Sequence, residues 1–334
     1  MKRIAINGLG REGRSILRQY AQSSFDHLEI VAANDILSAD NMAYLLQYDS
    51  AFGHYPHPVS VSGDTLSIAD KTLALFHEEN PQKIPWMDLD IDMVIECTGR
   101  FADREAAFGH IAAGARRVLI AAPAYDADIM LVMGVNEYDF DPEQHKIISS
   151  ASCTTHSLAP ALKLLQDNFG IEHAMVTTIH AYTATQSMVD TGRKKMMRGR
   201  AGAVNIIPTT TGAEKATTMV LPELAGLLTA LAVRVPVVDG SLTDVSVKLA
   251  TQVTVPEVNH CFRTASSGDL NRIIGYTDQP LVSSDIIADP HSCIVHGLST
   301  RVVAGSAVKL QLWYDNEYAY ARRCLELVDL LPLH

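Results

Sequence analysis

Short apolar runs alternate with amphipathic segments over the first 150 residues of the chain. The runs with the character of buried strands are residues 3–7, 28–33, 93–99, 118–121 and 130–133. Segments with helical periodicity separate them, such as the one that continues to about Tyr20 and the one closed by Gly114. Such alternation predicts a doubly wound, mostly parallel sheet. The alternating run Val59–Phe76 predicts an antiparallel hairpin inserted in this domain.

The pattern changes after residue 150. The run Ser157–Phe169 has leucines and a phenylalanine at helical spacing, which predicts a helix directly after the short β-prone run Ile147–Ser150. Beyond it, β-prone runs dominate, at residues 173–179, 233–236, 241–254 and 306–314, and a last helical segment covers about 317–331. A sheet with few helices predicts an α+β domain with a mostly antiparallel sheet. We therefore expect a first domain of residues 1–151 plus the C-terminal helix 317–334, and a second of residues 152–316.

Composition and charge narrow the class of protein. The chain has 334 residues, 47% of them hydrophobic and 19% charged, which suits two globular domains. A net charge of −11 makes nucleic acid an unfavourable partner. The N-terminus runs directly into a strand pattern, and no stretch approaches about 18 consecutive apolar residues. We therefore expect neither a signal peptide nor a membrane span.

Five cysteines are scattered through the chain without a C-x-x-C pair. An odd number of isolated cysteines is typical of a reducing compartment and of a free reactive thiol. We therefore predict a cytoplasmic protein. The imidazoles of His54 and His57 have no thiol or carboxylate at ligand spacing beside them, so no metal site is expected.

A glycine-rich motif follows the first predicted strand. Residues 8–13 read G-L-G-R-E-G, a G-x-G-x-x-G match with a strand before it and a helix after it. Gly8 and Gly10 permit a tight turn and the close approach of a pyrophosphate to the helix N-terminus. Asp35 lies 22 residues beyond Gly13, where a carboxylate can bond ribose hydroxyls and repel a 2′-phosphate. These residues predict a Rossmann-type domain that binds NAD in preference to NADP.

The candidate nucleophile is Cys153, within the sequence S-A-S-C-T-T-H of residues 150–156. It is expected on a sharp turn from a strand end into a helix, at or just inside the helix N-terminus. Unpaired backbone N–H groups and the positive end of the helix dipole favour a thiolate there. The alternative is a buried cysteine that only packs, and the hydroxyl side chains around Cys153 argue against it.

Six motifs together resemble one family over nearly the whole chain. They are I-N-G-L-G-R at 6–11, S-C-T-T at 152–155, T-I-H-A-Y-T at 178–183, T-G-A at 211–213, R-V-P at 234–236 and W-Y-D-N-E at 313–317. This set is similar to that of the phosphorylating glyceraldehyde-3-phosphate dehydrogenases. The resemblance implies an NAD-binding domain, a catalytic domain and a homotetramer that acts on a small phosphorylated aldehyde and inorganic phosphate.

The resemblance also implies roles for individual residues. Cys153 resembles the nucleophile and His180 its base, since an imidazole near a thiol can stabilise the thiolate and relay a proton. The residues implied to hold phosphates are Thr183, Arg198 and Arg234 for the substrate, and Ser152, Thr154, Thr211 and Gly212 for the attacking phosphate. The residues implied at the cofactor are Gly8, Gly10, Arg11, Glu12, Asp35, Ala121 and Asn316, the last fixing the nicotinamide carboxamide.

The chemistry implied by the resemblance is sequential. The Cys153 thiolate adds to the aldehyde to give a hemithioacetal, hydride transfer leaves a thioester, and phosphate displaces the acyl group. The product implied for glyceraldehyde 3-phosphate is 1,3-bisphosphoglycerate.

Several positions depart from the usual pattern of that family. Glu12 stands where isoleucine is usual, Glu79 where arginine is common near the adenine, and Ala121 where serine or threonine is usual. We expect these changes to weaken NAD binding, because a carboxylate repels the pyrophosphate and one hydroxyl is lost. His156 replaces an asparagine, as a hydrogen-bonding substitute or as a second titrating group. The segment Asp239–Ser241 departs from the usual P-N-V-S.

Two alternative functions stay open on the sequence alone. Erythrose-4-phosphate dehydrogenase has the same fold and thiol, and residues 289–292 and 85–86 resemble that branch, whereas Thr183 matches the phosphate ligand of the glyceraldehyde branch. The other alternative is a catalytically weakened NAD-binding regulatory protein, because acidic residues occupy the cofactor site. A non-phosphorylating aldehyde dehydrogenase fits less well, since the phosphate-holding residues are present.

Overall fold

The computed structural model describes residues 1–25 and 27–332, which form two compact units. Unit 1 consists of Met1–Leu131, Asn136–Ser152 and the chain from Ala321 onward. Unit 2 consists of Val132–Val135 and Cys153–Tyr320. No helix within the described ranges is long and apolar enough to cross a membrane.

Unit 1 is built on a nine-stranded sheet in the order β10-β11-β9-β8-β1-β2-β7-β6-β5, and β3 pairs with β4 apart from it. The strands are β1 (Lys2–Asn7), β2 (Leu28–Asn34), β3 (Tyr48–Asp49), β4 (Gly53–His54), β5 (Val59–Ser62), β6 (Thr65–Ile68), β7 (Lys71–Phe76), β8 (Met93–Glu96), β9 (Arg117–Ile120), β10 (Ile129–Met130) and β11 (Ile147–Ser149). All neighbours from β10 to β7 are parallel, whereas β6 pairs antiparallel with β5 and β7. The predicted doubly wound sheet and the inserted hairpin are confirmed.

The helices of unit 1 that precede residue 152 are α1 (Arg11–Gln22), α2 (Ala39–Gln47) and α3 (Arg104–Ala112). Helix α1 buries one face, which includes Ile16, Leu17 and Tyr20. Strand β8 is buried at every position, as is β1 from Ile4 to Asn7. Burial of both faces is typical of the central strands of a parallel sheet, and it explains why these runs are continuously apolar.

The strand predicted at residues 130–133 is shorter in the structure, because β10 ends at Met130. The chain then turns: the N–H of Val135 donates to the Val132 carbonyl at 3.1 Å, and Gly134 has a φ of +78°. A positive φ favours glycine and ends the extended backbone. The apolar run therefore continues beyond the strand, and hydropathy alone places its end too late.

Unit 2 is built on an eight-stranded sheet in the order β13-β14-β12-β15-β19-β17-β16, with β18 paired to β19. The strands are β12 (Ile171–Ala181), β13 (Ile207–Thr210), β14 (Leu228–Val235), β15 (Ser241–Leu249), β16 (Ile274–Thr277), β17 (Cys293–His296), β18 (Arg301–Val303) and β19 (Ala307–Tyr314). Only the pairs β12–β14 and β16–β17 are parallel among the described strand pairs of this sheet. The prediction of a mostly antiparallel second sheet is confirmed.

The helices of the second half are α4 (Cys153–Phe169), α5 (Ala213–Val220), α6 (Val255–Ser267) and α7 (Tyr318–Leu330). Helix α6 was not predicted, because the alternating run before it was taken to continue to Thr254, whereas strand β15 ends at Leu249. The cap of α6 is a capping box: Thr254 accepts from the N–H of Glu257 at 3.4 Å, and the Glu257 carboxylate accepts from the N–H of Thr254 at 2.7 Å. The signal T-x-x-E was therefore present locally.

Candidate active site

The loop that carries Cys153 joins β11 to α4. Strand β11 ends at Ser149, and Ala151 has a φ of +49°, a left-handed conformation that turns the chain sharply. The hydroxyl of Ser149 fixes this turn, since it donates to the Ala122 carbonyl at 2.9 Å and accepts from the N–H of Ala151 at 3.1 Å. Helix α4 begins at Cys153. The predicted strand-to-helix turn is confirmed, and the helix dipole favours an anionic sulfur at this position.

His180 lies beside Cys153, near the end of strand β12. Its Nε2 atom is 3.5 Å from the Sγ atom of Cys153. Its Nδ1 atom is 2.7 Å from the carbonyl oxygen of Ala181, and a proton assigned to Nδ1 leaves Nε2 as an acceptor towards the thiol. Burial and the guanidinium of Arg234 lower the pKa of His180 to about 3. The imidazole is therefore neutral near neutral pH and can take a proton from the thiol.

Two arginines supply the positive charge around the thiol. Arg234 on β14 is in register with His180 across the parallel β12–β14 pair, donates to the Ala181 carbonyl at 2.8 Å and lies against Nδ1 of His180. Burial lowers the pKa of Arg234, the charge of Cys153 opposes that change, and the charge of Arg198 adds to it. Two guanidinium groups thus act on the neutral imidazole, and that of Arg234 also acts on the sulfur, an arrangement that stabilises anions.

Tyr314 is a site residue to which the sequence analysis gave no role, although it lies in the quoted motif W-Y-D-N-E. Its hydroxyl is 3.1 Å from Oγ1 of Thr154 and 2.8 Å from Oγ1 of Thr178. Its ring stands edge-on to His180, with the ring centroids 6.0 Å apart. Burial raises the pKa of Tyr314 to about 12, so the phenol remains protonated. Because Thr154 follows Cys153 and Thr178 lies two residues before His180, Tyr314 ties together the segments that carry the pair.

Arg198 is held next to strand β13. It projects from the 3-10 helix Met196–Gly199, where its Nε atom donates to Oγ1 of Thr209 at 3.0 Å and its Nη2 atom donates to the carbonyl of Thr210 at 3.2 Å. Its charge also contributes to the lowered pKa of His180. The structure therefore brings together Arg198, Arg234, His180 and Cys153, four of the residues that the resemblance placed in the site.

The remaining residues predicted to hold phosphate have local contacts. Oγ1 of Thr183 is 2.8 Å from Oγ1 of Thr185 in its own turn. Thr211 and Gly212 directly precede α5, where Oγ1 of Thr211 accepts from the N–H of Ala213 at 3.1 Å. Ser152 is half-buried immediately before Cys153, and the hydroxyl of Thr154 contacts Tyr314. Of these hydroxyls, that of Thr154 belongs to the framework of the thiol–imidazole pair.

Asn316 follows the end of β19 and is buried. The hydroxyl of Ser241 donates to Oδ1 of Asn316 at 2.6 Å and accepts from the N–H of Ala181 at 3.1 Å. The fixed amide oxygen orients the NH2 group as a donor for a carbonyl, which is the acceptor that a carboxamide ligand offers.

A cavity of about 300 Å³ lies in unit 1 where strands β1, β2 and β8 end at their carboxyl termini. Its lining includes Asn7, Gly8, Gly10, Asn34, Asp35 and Thr98. In open parallel sheets, ligands bind at the carboxyl ends of the strands. This is the cavity that the glycine motif predicts.

The glycines of the motif fit a pyrophosphate. Gly8 has a φ of +94°, and a Cβ atom there would lie 2.8 Å from the backbone nitrogen of Thr98. A Cβ atom at Gly13 would lie 2.0 Å from the carbonyl oxygen of Gly8, whereas at Gly10 nothing lies within 4 Å. Gly10 precedes α1 and provides no side-chain cap. Gly8 and Gly13 therefore leave no space for a side chain, because the backbone packs closely there. The space beside Gly10 at the helix N-terminus is open, and an anion can bind there.

The Asp35 carboxylate is anchored in the lining of this cavity. Its Oδ2 atom accepts from the N–H of Leu9 at 2.6 Å and its Oδ1 atom accepts from the N–H of Leu37 at 2.9 Å. Each carboxylate oxygen can accept a further bond, so ribose hydroxyls can still be bound. Arg11, by contrast, is paired with Asp49, which draws its side chain to that carboxylate. Ala121 is half-buried, and its N–H donates to the Glu96 carbonyl at 2.9 Å.

A buried polar network that the sequence pattern does not reveal supports the cavity. Trp86 Nε1 donates to Nδ1 of His110 at 2.9 Å, so the proton of that imidazole is on Nε2, which lies 3.0 Å from the Glu96 carboxylate. Nδ2 of Asn7 donates to the same carboxylate at 2.5 Å, and Nδ2 of Asn34 donates to Oδ1 of Asn7 at 2.7 Å. The network fixes Asn7 and Asn34, which line the cavity.

Three positions that depart from the family pattern have definite surroundings. One carboxylate oxygen of Glu12 is buried, so this side chain does not turn fully to solvent. Glu79 is 3.3 Å from Nη1 of Arg100, and both side chains are exposed at the rim of the cavity. His156 is buried with its ring edge-on to Tyr320, 5.7 Å between centroids. Across residues 1–25 and 27–332, no three potential ligands cluster as a metal site.

The fold and the sites together define a class. Unit 1 has a Rossmann-type sheet with a cavity at its strand ends, and unit 2 has a thiol–imidazole pair at a helix N-terminus. This combination is typical of a thiol-dependent, NAD-binding dehydrogenase.

Comparison with known proteins identifies the family. Residues 2–104 match the family model "Glyceraldehyde 3-phosphate dehydrogenase, NAD binding domain", and residues 152–316 match "Glyceraldehyde 3-phosphate dehydrogenase, C-terminal domain". The chain belongs to the glyceraldehyde-3-phosphate dehydrogenase family.

Relatives in several bacteria match nearly the full chain. Glyceraldehyde-3-phosphate dehydrogenase of Streptomyces coelicolor is 48% identical over 97% of both chains. Glyceraldehyde-3-phosphate dehydrogenase 2 of Streptomyces avermitilis is 47% identical, also over 97% of both chains. Glyceraldehyde-3-phosphate dehydrogenase 2 of Bacillus subtilis is 45% identical over 98% of this chain and 95% of its own length.

Proposed function

We propose that this protein catalyses the NAD-dependent oxidative phosphorylation of glyceraldehyde 3-phosphate to 1,3-bisphosphoglycerate. The observation that carries this proposal is the 3.5 Å contact between Sγ of Cys153 and Nε2 of His180, with Arg234 and Arg198 acting on the pair. The names of the relatives support the glyceraldehyde substrate, so the erythrose alternative is not favoured.

The thiol chemistry follows from the protonation state of His180. A neutral imidazole takes the proton of Cys153 as the sulfur bonds to the aldehyde carbon. The hemithioacetal oxygen then carries the developing negative charge, which His180 stabilises by returning a hydrogen bond and Arg234 by its charge. NAD, when bound, would supply the acceptor for a hydride. The thioester that remains on Cys153 is cleaved when the oxygen of inorganic phosphate bonds to the acyl carbon and the sulfur leaves.

The phosphate groups of substrate and co-substrate require separate cationic and hydroxyl donors. Arg234 and Thr183, with Arg198 near them, are proposed to hold the phosphate of the aldehyde. Ser152, Thr154, Thr211 and Gly212 are proposed to hold the attacking phosphate, Thr154 through its backbone because its hydroxyl contacts Tyr314. Guanidinium groups suit this task, since each presents a planar set of donors to phosphate oxygens.

The cofactor residues are proposed on the same footing. Gly8 and Gly10 approach the pyrophosphate, Asp35 accepts from the ribose hydroxyls, and Asn316 donates to the carboxamide. By resemblance to the family, Arg11, Glu12 and Ala121 are also proposed to lie next to the cofactor. Arg11 would contact it through its backbone, because its side chain pairs with Asp49. We assign residues 1–151 with 317–334 to the cofactor domain and residues 152–316 to the catalytic domain.

We infer that the protein is a cytoplasmic homotetramer with a role in glycolysis. The assembly into an oligomer is supported by an exposed apolar surface in unit 2, where a cavity of about 680 Å³ is lined by Met196, Met197, Pro208, Leu231 and Val233. Met196 is 86% exposed and Leu231 62%. Apolar patches of this kind are typical of protein interfaces. Leu231→Lys is expected to yield smaller assemblies by light scattering, whereas Glu223→Lys, an exposed control, is expected to leave the mass unchanged.

The direct test is steady-state formation of NADH from glyceraldehyde 3-phosphate and from erythrose 4-phosphate, each with and without inorganic phosphate. The proposal predicts a higher kcat/KM for the three-carbon aldehyde and an absolute need for phosphate in sustained turnover. A preference for the four-carbon aldehyde would assign the protein to the other branch. Equal turnover without phosphate would contradict the phosphorylating mechanism.

A further inference from the structure

The segment Asp239–Ser241 joins two parts of unit 2 that the proposed mechanism uses. Ser241 bridges Asn316 and the backbone of Ala181, the neighbour of His180. Gly240 has a φ of +85°, and a Cβ atom there would lie 2.4 Å from the carbonyl oxygen of Ser283. Only glycine fits this position, so the path of the segment is fixed. Its geometry therefore bears on both the base and the proposed carboxamide ligand.

Asp239 lies at the start of this segment and is only 1% exposed. The charged groups that face it are the carboxyl groups of Asp315 and Glu317, on either side of Asn316, and both are buried. The 3-10 helix Ser283–Ile286 packs against Gly240, and its one carboxylate, that of Asp285, is exposed and accepts from the N–H of Val282 at 2.8 Å. Asp239 is thus buried among other acids.

The hydrogen bonds show which acid of the pair Asp239–Asp315 holds the proton. Asp315 accepts three backbone N–H groups, from Glu317 at 2.9 Å, Tyr318 at 2.7 Å and Ala288 at 2.7 Å, and such donors favour a carboxylate.

Asp239 receives only the N–H of Gly240, at 2.9 Å on Oδ1. Its Oδ2 atom is buried and accepts no hydrogen bond from any described residue. The side chains of Asp239 and Asp315 lie within hydrogen-bonding reach of each other. A proton on Oδ2 turns this contact between two acceptors into a charge-assisted hydrogen bond.

Electrostatics agree with this assignment. Burial and the charges of Asp315 and Glu317 raise the pKa of Asp239 to about 9. Asp239 and Asp315 titrate as a pair. The proton that this pair loses as the pH rises is the one shared in the hydrogen bond between the two side chains. Loss of that proton would place two buried carboxylates side by side next to Asn316.

We propose that Asp239 is a positioning residue, a neutral acid whose proton bonds Asp315 and thereby holds the turn that presents Asn316 to the nicotinamide carboxamide. The proposal rests on the proposed function. It makes NAD binding dependent on a single proton outside the thiol–imidazole pair. Asparagine is neutral and can donate from Nδ2, so Asp239→Asn is the variant that keeps the bond without the titration.

The experiment is the dissociation constant for NAD from about pH 7 to about pH 10, with the KM for NAD alongside. In the wild-type chain both are expected to rise about tenfold per pH unit above the pKa of Asp239. Asp239→Asn is expected to match the wild type near neutral pH and to stay flat on the alkaline side. Asp239→Ala, which has no donor, is expected to weaken NAD binding about three- to tenfold at every pH.

Two controls separate positioning from general damage. Asp167→Asn removes an exposed carboxylate of α4 and is expected to keep the wild-type profile. The rate of Cys153 alkylation by iodoacetamide is expected to be the same in wild type and Asp239→Asn at each pH, because the proton concerned is not that of the thiol. Altered alkylation in Asp239→Asn would show that the segment acts on the thiol and would overturn the proposal.

The outcomes distinguish this inference from the proposed function. An identical alkaline rise in wild type and Asp239→Asn would overturn the inference and leave the function standing. A wild-type chain without aldehyde turnover, but with the expected pH dependence of NAD binding and its loss in Asp239→Asn, would do the reverse. A chain that binds no NAD would overturn both.

Discussion

The thiol site of unit 2 and the dinucleotide cavity of unit 1 have opposite charge. Around Cys153 two guanidinium groups act on a neutral imidazole, so the site favours anions. The cavity is lined by the acids Asp35, Glu78 and Glu79, and Glu12 lies in the first turn of α1. The contrast shows that the two units differ in the anions they favour. Unit 2 is suited to phosphate and thiolate chemistry, whereas the acidic cavity of unit 1 disfavours a cofactor with additional negative charge, such as a 2′-phosphate.

Removal of the sulfur is expected to have the largest effect on the thiol side of this comparison. Cys153→Ser keeps the volume but lacks an acidic nucleophile, so kcat should fall by at least about a thousandfold, while NAD binding stays within about twofold. Cys261→Ser, a cysteine on α6, is the matched control and should retain activity. Comparable loss in both variants, or turnover near the wild-type rate in Cys153→Ser, would contradict the assigned role.

The cationic character of the site is tested by Arg234→Gln. Loss of a half-buried guanidinium that is proposed to bond the substrate phosphate should cost about 3 kcal/mol, a fall of about 150-fold in kcat/KM. The pKa of His180 should rise towards its ordinary value, because the charge of Arg234, which lowers this pKa in addition to burial, is removed. The acid limb of the pH–rate profile should therefore move to higher pH. An unchanged acid limb would show that Arg234 does not act on the imidazole.

On the cofactor side, Glu12→Ile removes a carboxylate from the helix N-terminus that faces the proposed pyrophosphate. NAD should bind about three- to tenfold more tightly at low salt, and the gain should shrink as salt screens the charge. Glu105→Ile changes the equivalent second position of α3 and should leave the dissociation constant unchanged. No tightening at low salt in Glu12→Ile would remove the repulsion argument.

The effect expected on the stability of unit 2 is graded with pH. The raised pKa of Asp239 means that the folded state binds a proton that the unfolded state loses above about pH 4, so stability declines as pH rises towards 9. Asp239→Asn removes this decline, and its advantage in free energy of unfolding should grow by at most about 1.4 kcal/mol per pH unit in that window. Denaturant unfolding at two pH values measures it. A constant difference between the variants would contradict the protonated state.

The parts of the molecule that follow from short stretches of sequence were predictable. The strand–glycine–helix unit of Gly8 to Gly13 and the turn before Cys153 are local, and each residue type there satisfies a backbone requirement that can be read directly from the chain. The alternating hairpin Val59–Phe76 was found for the same reason, although its last strand also joins the parallel sheet through β2.

The interactions that pattern could not reveal join residues distant in the chain. Tyr314 reaches Thr154 across 160 positions, and Asn7 reaches Glu96 across 89. Such contacts depend on how the strands are ordered, and the strand order is not periodic in sequence. The role proposed for Asp239 was missed for a related reason. The departure of its segment from the usual P-N-V-S was visible, but the acids that keep it protonated, Asp315 and Glu317, lie more than 70 residues later, between β19 and α7.

The central claim is that a sulfur activated by a neutral imidazole carries the acyl group. It is tested most directly by rapid mixing of the NAD-loaded protein with glyceraldehyde 3-phosphate in the absence of inorganic phosphate, followed by acid quenching and peptide mass analysis. We predict a burst of NADH no larger than the number of active chains and an acyl adduct on the Cys153 peptide, which disappears when phosphate is added. NADH formation without an adduct on that peptide, or an adduct that phosphate does not release, would contradict the account.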